Sequence, residues 1–422
     1  MDLLNIGYEK YKLENGLDVI LHHDTNLPLV CVNIWYRVGS ANEVKGKTGI
    51  AHLFEHMMFQ GSQNVPKEKH FKFIQEAGGT LNGSTSFDRT NYFEKVPSNY
   101  LELALWLESD RMGFLLPALT QDKLTNQIGV VSNERLERYD NQPYGLAWET
   151  LISNLYPESH PYSWPTIGHM KDIKSYTLDD VSSFFKKYYS PANATLVVAG
   201  NFEKEKLKDQ VSKYFSELGS SRNGKITSLS SFPKPKLEKN IFIEKKENVQ
   251  LERIYLAWHS EKAYGKDDSS LDILSDLLTG SKSSRLTQKL VYEMEIAQDV
   301  SAFQFSGKYD GHFMIIATAK PGITLGKLKD EIFKEIENIG ENGVTEKEIA
   351  RSKNVIKSSF IYSMQNSDVL ADQLNHYNFY LGEPNSFNFD LQRYEDVTTE
   401  SLKNVTEKYI SKPFIELQIK PI

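Results

Sequence analysis

The segment that ends the first half of the chain is repeated at the end of the second half. Residues 177–198, TLDDVSSFFKKYYSPANATLVV, resemble residues 398–419, TTESLKNVTEKYISKPFIELQI. Each copy begins with a Thr that can cap a helix, continues with acidic residues and an apolar stripe, and ends in a Pro and a strand-like run. Because a repeated segment adopts one fold twice, this pattern predicts two related domains.

A segment of linker composition separates the two copies. Ser, Pro, Lys and Gly dominate the stretch GSSRNGKITSLSSFPKPKLEK, which starts at residue 219. We therefore predict domains at 1–218 and 241–422, joined by a linker at 219–240. Alternating apolar runs and helical periodicity occur in both halves, which predicts an α+β fold with a mostly antiparallel sheet covered by helices in each domain.

Charge and hydropathy exclude several classes of protein. A net charge of −7 and an isoelectric point near 5.9 do not fit a nucleic-acid-binding surface. No run of about 18 uncharged apolar residues occurs, so we expect no membrane span. Cys31 is the single cysteine, which rules out an internal disulfide. We expect a cytoplasmic protein, although a periplasmic chain whose signal peptide had been removed would have the same pattern.

A short apolar run, TGIAHLFEHMMFQGS at residues 48–62, carries three ionisable side chains. In a helix, His52 and His56 lie one turn apart on one face, and Glu55 lies at the edge of that face. Two imidazoles at this spacing can bind one metal ion, and H-x-x-E-H is the inverted form of a common zinc motif. Because unpaired ionisable groups are costly to bury, we favour a metal site over two core histidines.

A catalytic zinc site needs a third protein ligand, which spacing alone does not select. The segment TQDKLTNQIGVVSNERLERYDNQPYG predicts a helix that begins after a capping Thr120. This helix offers two carboxylates, Glu134 and Glu137, as candidate ligands.

These motifs together resemble one known family. The sequence HLFEH, followed 78 residues after His56 by Glu134 in SNERLERYDNQPYG, is similar to the pitrilysin and insulin-degrading enzyme family of zinc metallopeptidases. That family includes mitochondrial processing peptidase and short bacterial relatives. The resemblance implies that His52, His56 and Glu134 bind Zn²⁺ and that Glu55 acts as the general base.

The resemblance also implies a substrate-binding strand. In the family, a segment similar to GGTLNGSTSFDRTNYF, residues 78–93, forms an edge strand that pairs with the substrate backbone. Gly79, Thr80, Asn82 and Gly83 would then bind the peptide, with Gly83 at a position where the family usually has Ala.

Three further residues concern catalysis. Gln127 stands where many members carry a Glu that supports the metal site, so it would hydrogen-bond without supplying charge. Arg285 and Tyr292 lie seven residues apart on a predicted helix, which is two turns. The pattern alone favours an ordinary surface Arg and a half-buried Tyr, whereas the resemblance implies that the pair stabilises the oxyanion.

The resemblance therefore implies a zinc-dependent endopeptidase that cleaves peptides or unfolded polypeptide segments inside a closed dimeric chamber. A homodimer would place each Arg285 and Tyr292 opposite the partner's zinc, and a heterodimer with a related subunit is the rival arrangement. The alternative function is a non-catalytic scaffold or processing-complex subunit, but such members usually lose motif residues. The segment GSANEVKGKTG, residues 39–49, looks like a phosphate loop, yet Ala41 stands where that motif requires Gly.

Overall fold

The computed structural model describes residues 4, 6–219 and 232–422. Its strands are β1 Glu9–Lys12, β2 Asp18–His23, β3 Leu29–Tyr36, β4 Thr80–Thr85, β5 Thr90–Pro97, β6 Ala194–Gly200, β7 Ile241–Glu247, β8 Arg253–Ser260, β9 Ala297–Ser306, β10 Gly311–Ala319 and β11 Ile415–Pro421. Its α-helices are α1 Ile50–Met57, α2 Lys69–Glu76, α3 Leu101–Phe114, α4 Gln121–Arg135, α5 Ala147–Leu155, α6 Met170–Ile173, α7 Leu178–Tyr188, α8 Lys204–Phe215, α9 Asp268–Thr279, α10 Leu325–Asn342, α11 Glu346–Ser363, α12 Ser367–Tyr380, α13 Phe387–Glu395 and α14 Thr399–Val405. Among these helices, none has both the length and the apolar character needed to cross a membrane.

The strands form two sheets, in the orders β1-β2-β6-β3-β5-β4 and β7-β11-β8-β10-β9, which share a five-strand arrangement, and the first sheet has β1 in addition. Strand β6, which ends the first repeated segment, is parallel to β2 and antiparallel to β3. Strand β11, which ends the second repeated segment, is in the same way parallel to β7 and antiparallel to β8. The remaining pairs in the described part of the chain are antiparallel. The predicted α+β fold with mostly antiparallel sheets is confirmed, and the repeat corresponds to one topology used twice.

The described residues form two compact units, and each unit takes a segment from the other half of the chain. Unit 1 contains the described residues within Met1–Leu136, Trp164–Ser230 and Ile361–Asn388, and unit 2 contains those within Glu137–Ser163, Ser231–Phe360 and Phe389–Ile422. The units therefore differ from the two continuous domains expected from the linker, because periodicity does not show which sheet a helix packs against. Most of the predicted linker, residues 220–231, lies outside the described residues.

Helix α12, from the second half of the chain, belongs to unit 1 and packs against β3 and β6. Asp372 on this helix accepts hydrogen bonds at Oδ1 from Asn33 Nδ2 (3.2 Å), Trp35 Nε1 (2.8 Å) and Asn91 Nδ2 (3.0 Å). Strand β6 is buried at every position. Because β6 is buried at every position, its sequence, ATLVVAG, is a continuous apolar run rather than an alternating one.

Helix α5, from the first half of the chain, belongs to unit 2 and packs against β8 and β11. Its Trp148 ring lies 5.0 Å, between centroids, from the ring of His312 on β10. Lys245 Nζ on β7 donates to Thr150 Oγ1 across 2.6 Å. These contacts fix α5 on the second sheet.

Candidate metal centre

Helix α1 is held in place by its apolar face. The ring of Phe54 packs against the ring of Tyr189, with centroids 4.3 Å apart. The side chains that flank the ionisable trio along the helix are buried: Ala51, Leu53, Phe54 and Met57. His52, Glu55 and His56 are half-buried on the remaining side, as the helical spacing predicts.

Glu134, near the end of α4, lies beside both imidazoles. Its Oε2 atom is 3.3 Å from His56 Nε2 and 3.8 Å from His52 Nε2. In the described part of the chain, these residues are the one group of three or more His, Cys, Asp or Glu side chains whose ligand atoms lie within 4.8 Å of one another. Folding thus brings together the three side chains that the resemblance selected, and Glu134 rather than Glu137 belongs to this group.

The distances fit a shared zinc ion. Tetrahedral ligands about 2.1 Å from zinc lie about 3.4 Å apart, whereas an N–H···O hydrogen bond is shortest near 2.9 Å. The separations of 3.3 and 3.8 Å are close to the first value and longer than the second. Two imidazoles and one carboxylate are also a donor set of catalytic zinc sites, which leave a fourth position open for water.

Glu55 is oriented by a threonine from the neighbouring strand. Thr85 Oγ1, at the end of β4, donates to Glu55 Oε2 across 2.5 Å. Burial raises the pKa of the Glu55 carboxyl, while the Thr85 hydroxyl and the nearby His56 act in the opposite direction. A bound dication would favour the ionised form further. The site therefore holds a carboxylate beside the candidate ligands that can accept a proton.

The segment that resembles the substrate-binding strand is the edge strand β4. It pairs with β5 and ends the sheet of unit 1. Asn82 is exposed, and its Oδ1 accepts a hydrogen bond from Gly83 N. A Cβ on Gly83 would lie 3.2 Å from the rings of Phe59 and Tyr92, so this position is tight even for Ala.

Gly79 immediately precedes β4, and Thr80 is the first residue of that strand. A Cβ on Gly79 would lie 2.6 Å from the Val96 side chain, which explains the Gly. Thr80 is exposed. Thr80 and Asn82 are therefore both exposed residues of this edge strand.

Gln127, the predicted supporting residue, is buried on α4, two turns before Glu134. Its Nε2 donates to Asn126 Oδ1 on the same helix across 3.3 Å. The side-chain amide of Gln127 thus binds the preceding residue on its own helix.

Arg285 and Tyr292, the pair predicted to stabilise the oxyanion, lie in unit 2. The guanidinium of Arg285 is bound by Glu348, through Nε at 2.7 Å and Nη2 at 3.0 Å, and by Glu335 through Nη1 at 3.0 Å. Tyr292 is 51% exposed. In the described part of the chain no hydrogen bond or cation–ring contact joins the two side chains. The prediction assumed an α-helix, but Thr287–Glu293 is a π-helix, in which seven residues are not two turns.

Sequence reasoning missed Thr85 and Glu43. Thr85 lies two residues after Gly83, so strand alternation places both on the face that meets α1, and this polar residue was a usable signal. Glu43 lies in the segment that resembles a phosphate loop, and its carboxylate binds the backbone at the start of α1. No spacing rule points to that contact.

Comparison with known proteins finds models of one peptidase family in both halves of the chain. A family model described as Insulinase (Peptidase family M16) matches residues 18–164, and one described as Peptidase M16 inactive domain matches residues 175–356. The zinc protease PqqE of Helicobacter pylori is 32% identical over 365 residues, which cover 86% of this chain and 82% of that protein. The uncharacterized zinc protease YmxG of Bacillus subtilis is 24% identical over 414 residues, 98% of each chain. The crystal structure of a protease from Helicobacter pylori matches with a TM-score of 0.91 at 30% identity, covering 98% of this chain and 99% of that one. This chain therefore belongs to peptidase family M16, the insulinase family.

Proposed function

We propose that the protein is a zinc-dependent endopeptidase that cleaves peptides or unfolded polypeptide segments. The observation that carries this proposal is that two imidazoles and a carboxylate, from α1 and α4, converge beside a fourth ionisable side chain, Glu55. Three ligands leave one position of a tetrahedral zinc ion open, which is typical of catalytic and not of structural sites. The zinc proteases among the relatives support the same reading.

His52, His56 and Glu134 would hold the ion, which supplies a Lewis acid and a bound water whose pKa falls toward about 7. Thr85 binds one oxygen of Glu55, so the carboxylate is oriented to take a proton from the attacking water. The water oxygen then bonds to the peptide carbonyl carbon and the C–N bond breaks. Glu55 returns the proton to the nitrogen of the leaving amine.

Strand β4 supports the proposed substrate class. An extended peptide can add to its free edge through backbone hydrogen bonds, which do not depend on the side chains of the peptide. Gly79, Thr80, Asn82 and Gly83 are the proposed binding residues. Because folded proteins seldom offer a free extended segment, this mode of binding favours peptides and unfolded stretches.

The proposed assembly is a dimer that encloses the substrate in a chamber, and the identity of the second subunit depends on Arg285. A homodimer was expected because a second copy would supply Arg285 and Tyr292 as oxyanion donors. Glu335 and Glu348 bind this guanidinium, which weakens that expectation. A related subunit that supplies the oxyanion donors is the better-supported partner. We propose the cytoplasm as the compartment, since the single Cys31 is buried and unpaired.

Glu55→Gln tests the proposal. This variant keeps the shape of the side chain and the three ligands but cannot accept a proton. We expect wild type and variant to bind equal amounts of zinc, and only wild type to cleave a mixed peptide library, alone or with a related subunit. A zinc-loaded wild type that cleaves nothing in either condition would instead support a scaffold function.

A further inference from the structure

The segment GSANEVKGKTG contains a buried carboxylate that faces the start of the metal-binding helix. Glu43 is 7% exposed. Its Oε1 accepts a hydrogen bond from Ala51 N (2.9 Å), and its Oε2 accepts hydrogen bonds from Gly49 N (2.9 Å) and Trp164 Nε1 (3.0 Å). All three partners donate, so the arrangement suits an ionised carboxylate. Burial, and to a smaller extent the nearby Asp172, hold the pKa of the Glu43 carboxyl at about 8, even though these three donors favour the ionised form.

Helix α1 needs a cap from elsewhere in the chain. Its N-cap residue is Gly49, with φ +87°, which has no side chain to bind the free N–H groups of the first turn. Any other residue is excluded there, because a Cβ on Gly49 would lie 2.4 Å from Ile167 O. Glu43 supplies the missing acceptors through its two carboxyl oxygens, and the helix N-terminus favours its ionised form.

A second buried carboxylate holds the residue before Gly49. Asp172 Oδ2 accepts hydrogen bonds from Thr48 N (3.2 Å) and Thr48 Oγ1 (2.7 Å). Together with Glu43, it fixes the backbone of residues 48–51. His52 follows directly, in the first turn of a helix of eight residues, so a displacement of this backbone moves the imidazole.

The same region holds the helix of the third candidate ligand. Arg135 follows Glu134 on α4, and its Nη1 donates to Gly168 O across 2.6 Å. Gly168 packs directly on Gly49, since a Cβ on Gly168 would lie 2.4 Å from the Gly49 Cα. The backbone around residues 164–168 therefore contacts the start of α1 and binds the end of α4.

We infer that Glu43 is a positioning residue for the metal centre: its carboxylate sets the place of α1, and through α1 the place of the two imidazoles relative to Glu134. This inference rests on the proposed metal site and adds a role for a residue outside the ligand set. A residue that orients ligands changes metal affinity and ligand geometry, whereas a residue that only stabilises the fold changes neither in the folded protein.

Glu43→Gln is the test, because the amide keeps the volume but directs an N–H₂ group at backbone donors. Asp110→Asn is the matched control. Asp110 is also buried in unit 1 and also accepts three hydrogen bonds, from Ser62 Oγ and from the backbone and side chain of Asn64. It lies on α3 and binds the loop after α1 instead of the start of α1.

Zinc affinity is measured by competition with a chromophoric chelator, and ligand geometry by the absorption spectrum of the Co²⁺-substituted protein. We expect Glu43→Gln to bind zinc about 10-fold more weakly than wild type and to change the Co²⁺ spectrum. Asp110→Asn should lower the free energy of unfolding while keeping wild-type zinc affinity and spectrum.

A folded Glu43→Gln variant with wild-type affinity and spectrum would overturn the inference. If that variant does not fold, Trp164→Phe removes one of the three donors, and it should weaken zinc binding in the same direction by a smaller factor. A folded Trp164→Phe variant with unchanged affinity and spectrum would then overturn it. A wild type that binds no zinc contradicts the proposed function itself, so the two failures are distinguishable.

Discussion

The hydroxyl of Thr85 gives a direct test of how Glu55 works. It donates to Glu55 Oε2 across 2.5 Å, and Thr85→Val removes it while keeping the branched shape that suits a strand. A hydrogen bond to a charged group contributes about 1.5–3 kcal/mol. Each 1.4 kcal/mol of lost transition-state stabilisation slows a reaction about tenfold. If the whole contribution acts in the transition state, kcat should fall roughly 10- to 150-fold.

The assay measures kcat and KM on a fluorogenic peptide with protein of verified zinc content. Thr85→Ser keeps the hydroxyl and should retain most of the activity. Both variants should bind zinc with wild-type affinity, because Thr85 is not among the candidate ligands. A zinc-loaded Thr85→Val variant with wild-type kcat would refute the view that this hydroxyl orients the base.

Three further predictions concern other parts of the chain. The Lys of Arg285→Lys cannot bind two carboxylates as a guanidinium does, so urea unfolding should show a loss of about 1–3 kcal/mol in the free energy of unfolding, while peptide cleavage stays unchanged. Lost cleavage in a folded variant would instead indicate a catalytic role for Arg285. Gly168→Ala would place a Cβ 2.4 Å from the Gly49 Cα at a φ of +80°, so thermal unfolding should show a loss of about 1–3 kcal/mol in the free energy of unfolding. The control Gly129→Ala lies in open space on α4 and should raise that free energy by about 0.5–1 kcal/mol. Equal effects of the two substitutions would refute the close approach of Gly168 to Gly49. Burial lowers the pKa of His312 to about 3, so the unfolded chain binds a proton that the folded protein does not, and stability is lost as pH falls below about 6.5. His312→Gln should therefore reduce the difference in unfolding free energy between about pH 7.5 and about pH 5.5 by about 1.4 kcal/mol. An unchanged difference would show that His312 is protonated in the fold.

Much of the candidate site was predictable because it depends on short-range helix geometry. His52 and His56 share a helix face at any i, i+4 spacing, whatever the rest of the chain does. Glu134 lies far away in sequence, and only the family resemblance selected it over Glu137. The α+β class was predictable for a similar reason, since alternation and helical periodicity are local patterns.

The remaining features depend on tertiary structure or on backbone irregularity. The prediction that Arg285 and Tyr292 share a face assumes α-helical spacing, and Tyr292 lies instead in the π-helix Thr287–Glu293, where that spacing does not apply. The exchange of α5 and α12 between the units has no local signal, since each is an ordinary helix by periodicity. The contact of Glu43 with the start of α1 joins two segments through backbone N–H groups, which carry no residue identity.

The position of α12 in unit 1 has a consequence for biosynthesis. Unit 1 cannot be completed until residues 361–388 have left the ribosome, because α12 covers β3 and β6 and binds Asn33, Trp35 and Asn91 through Asp372. A nascent chain that ends before α12 therefore exposes one face of a largely apolar sheet, and during this period aggregation competes with folding. Chain order thus makes the unit that carries the candidate metal centre dependent on a helix that is translated long after α1 and α4, and unit 1 should need chaperone protection until α12 emerges.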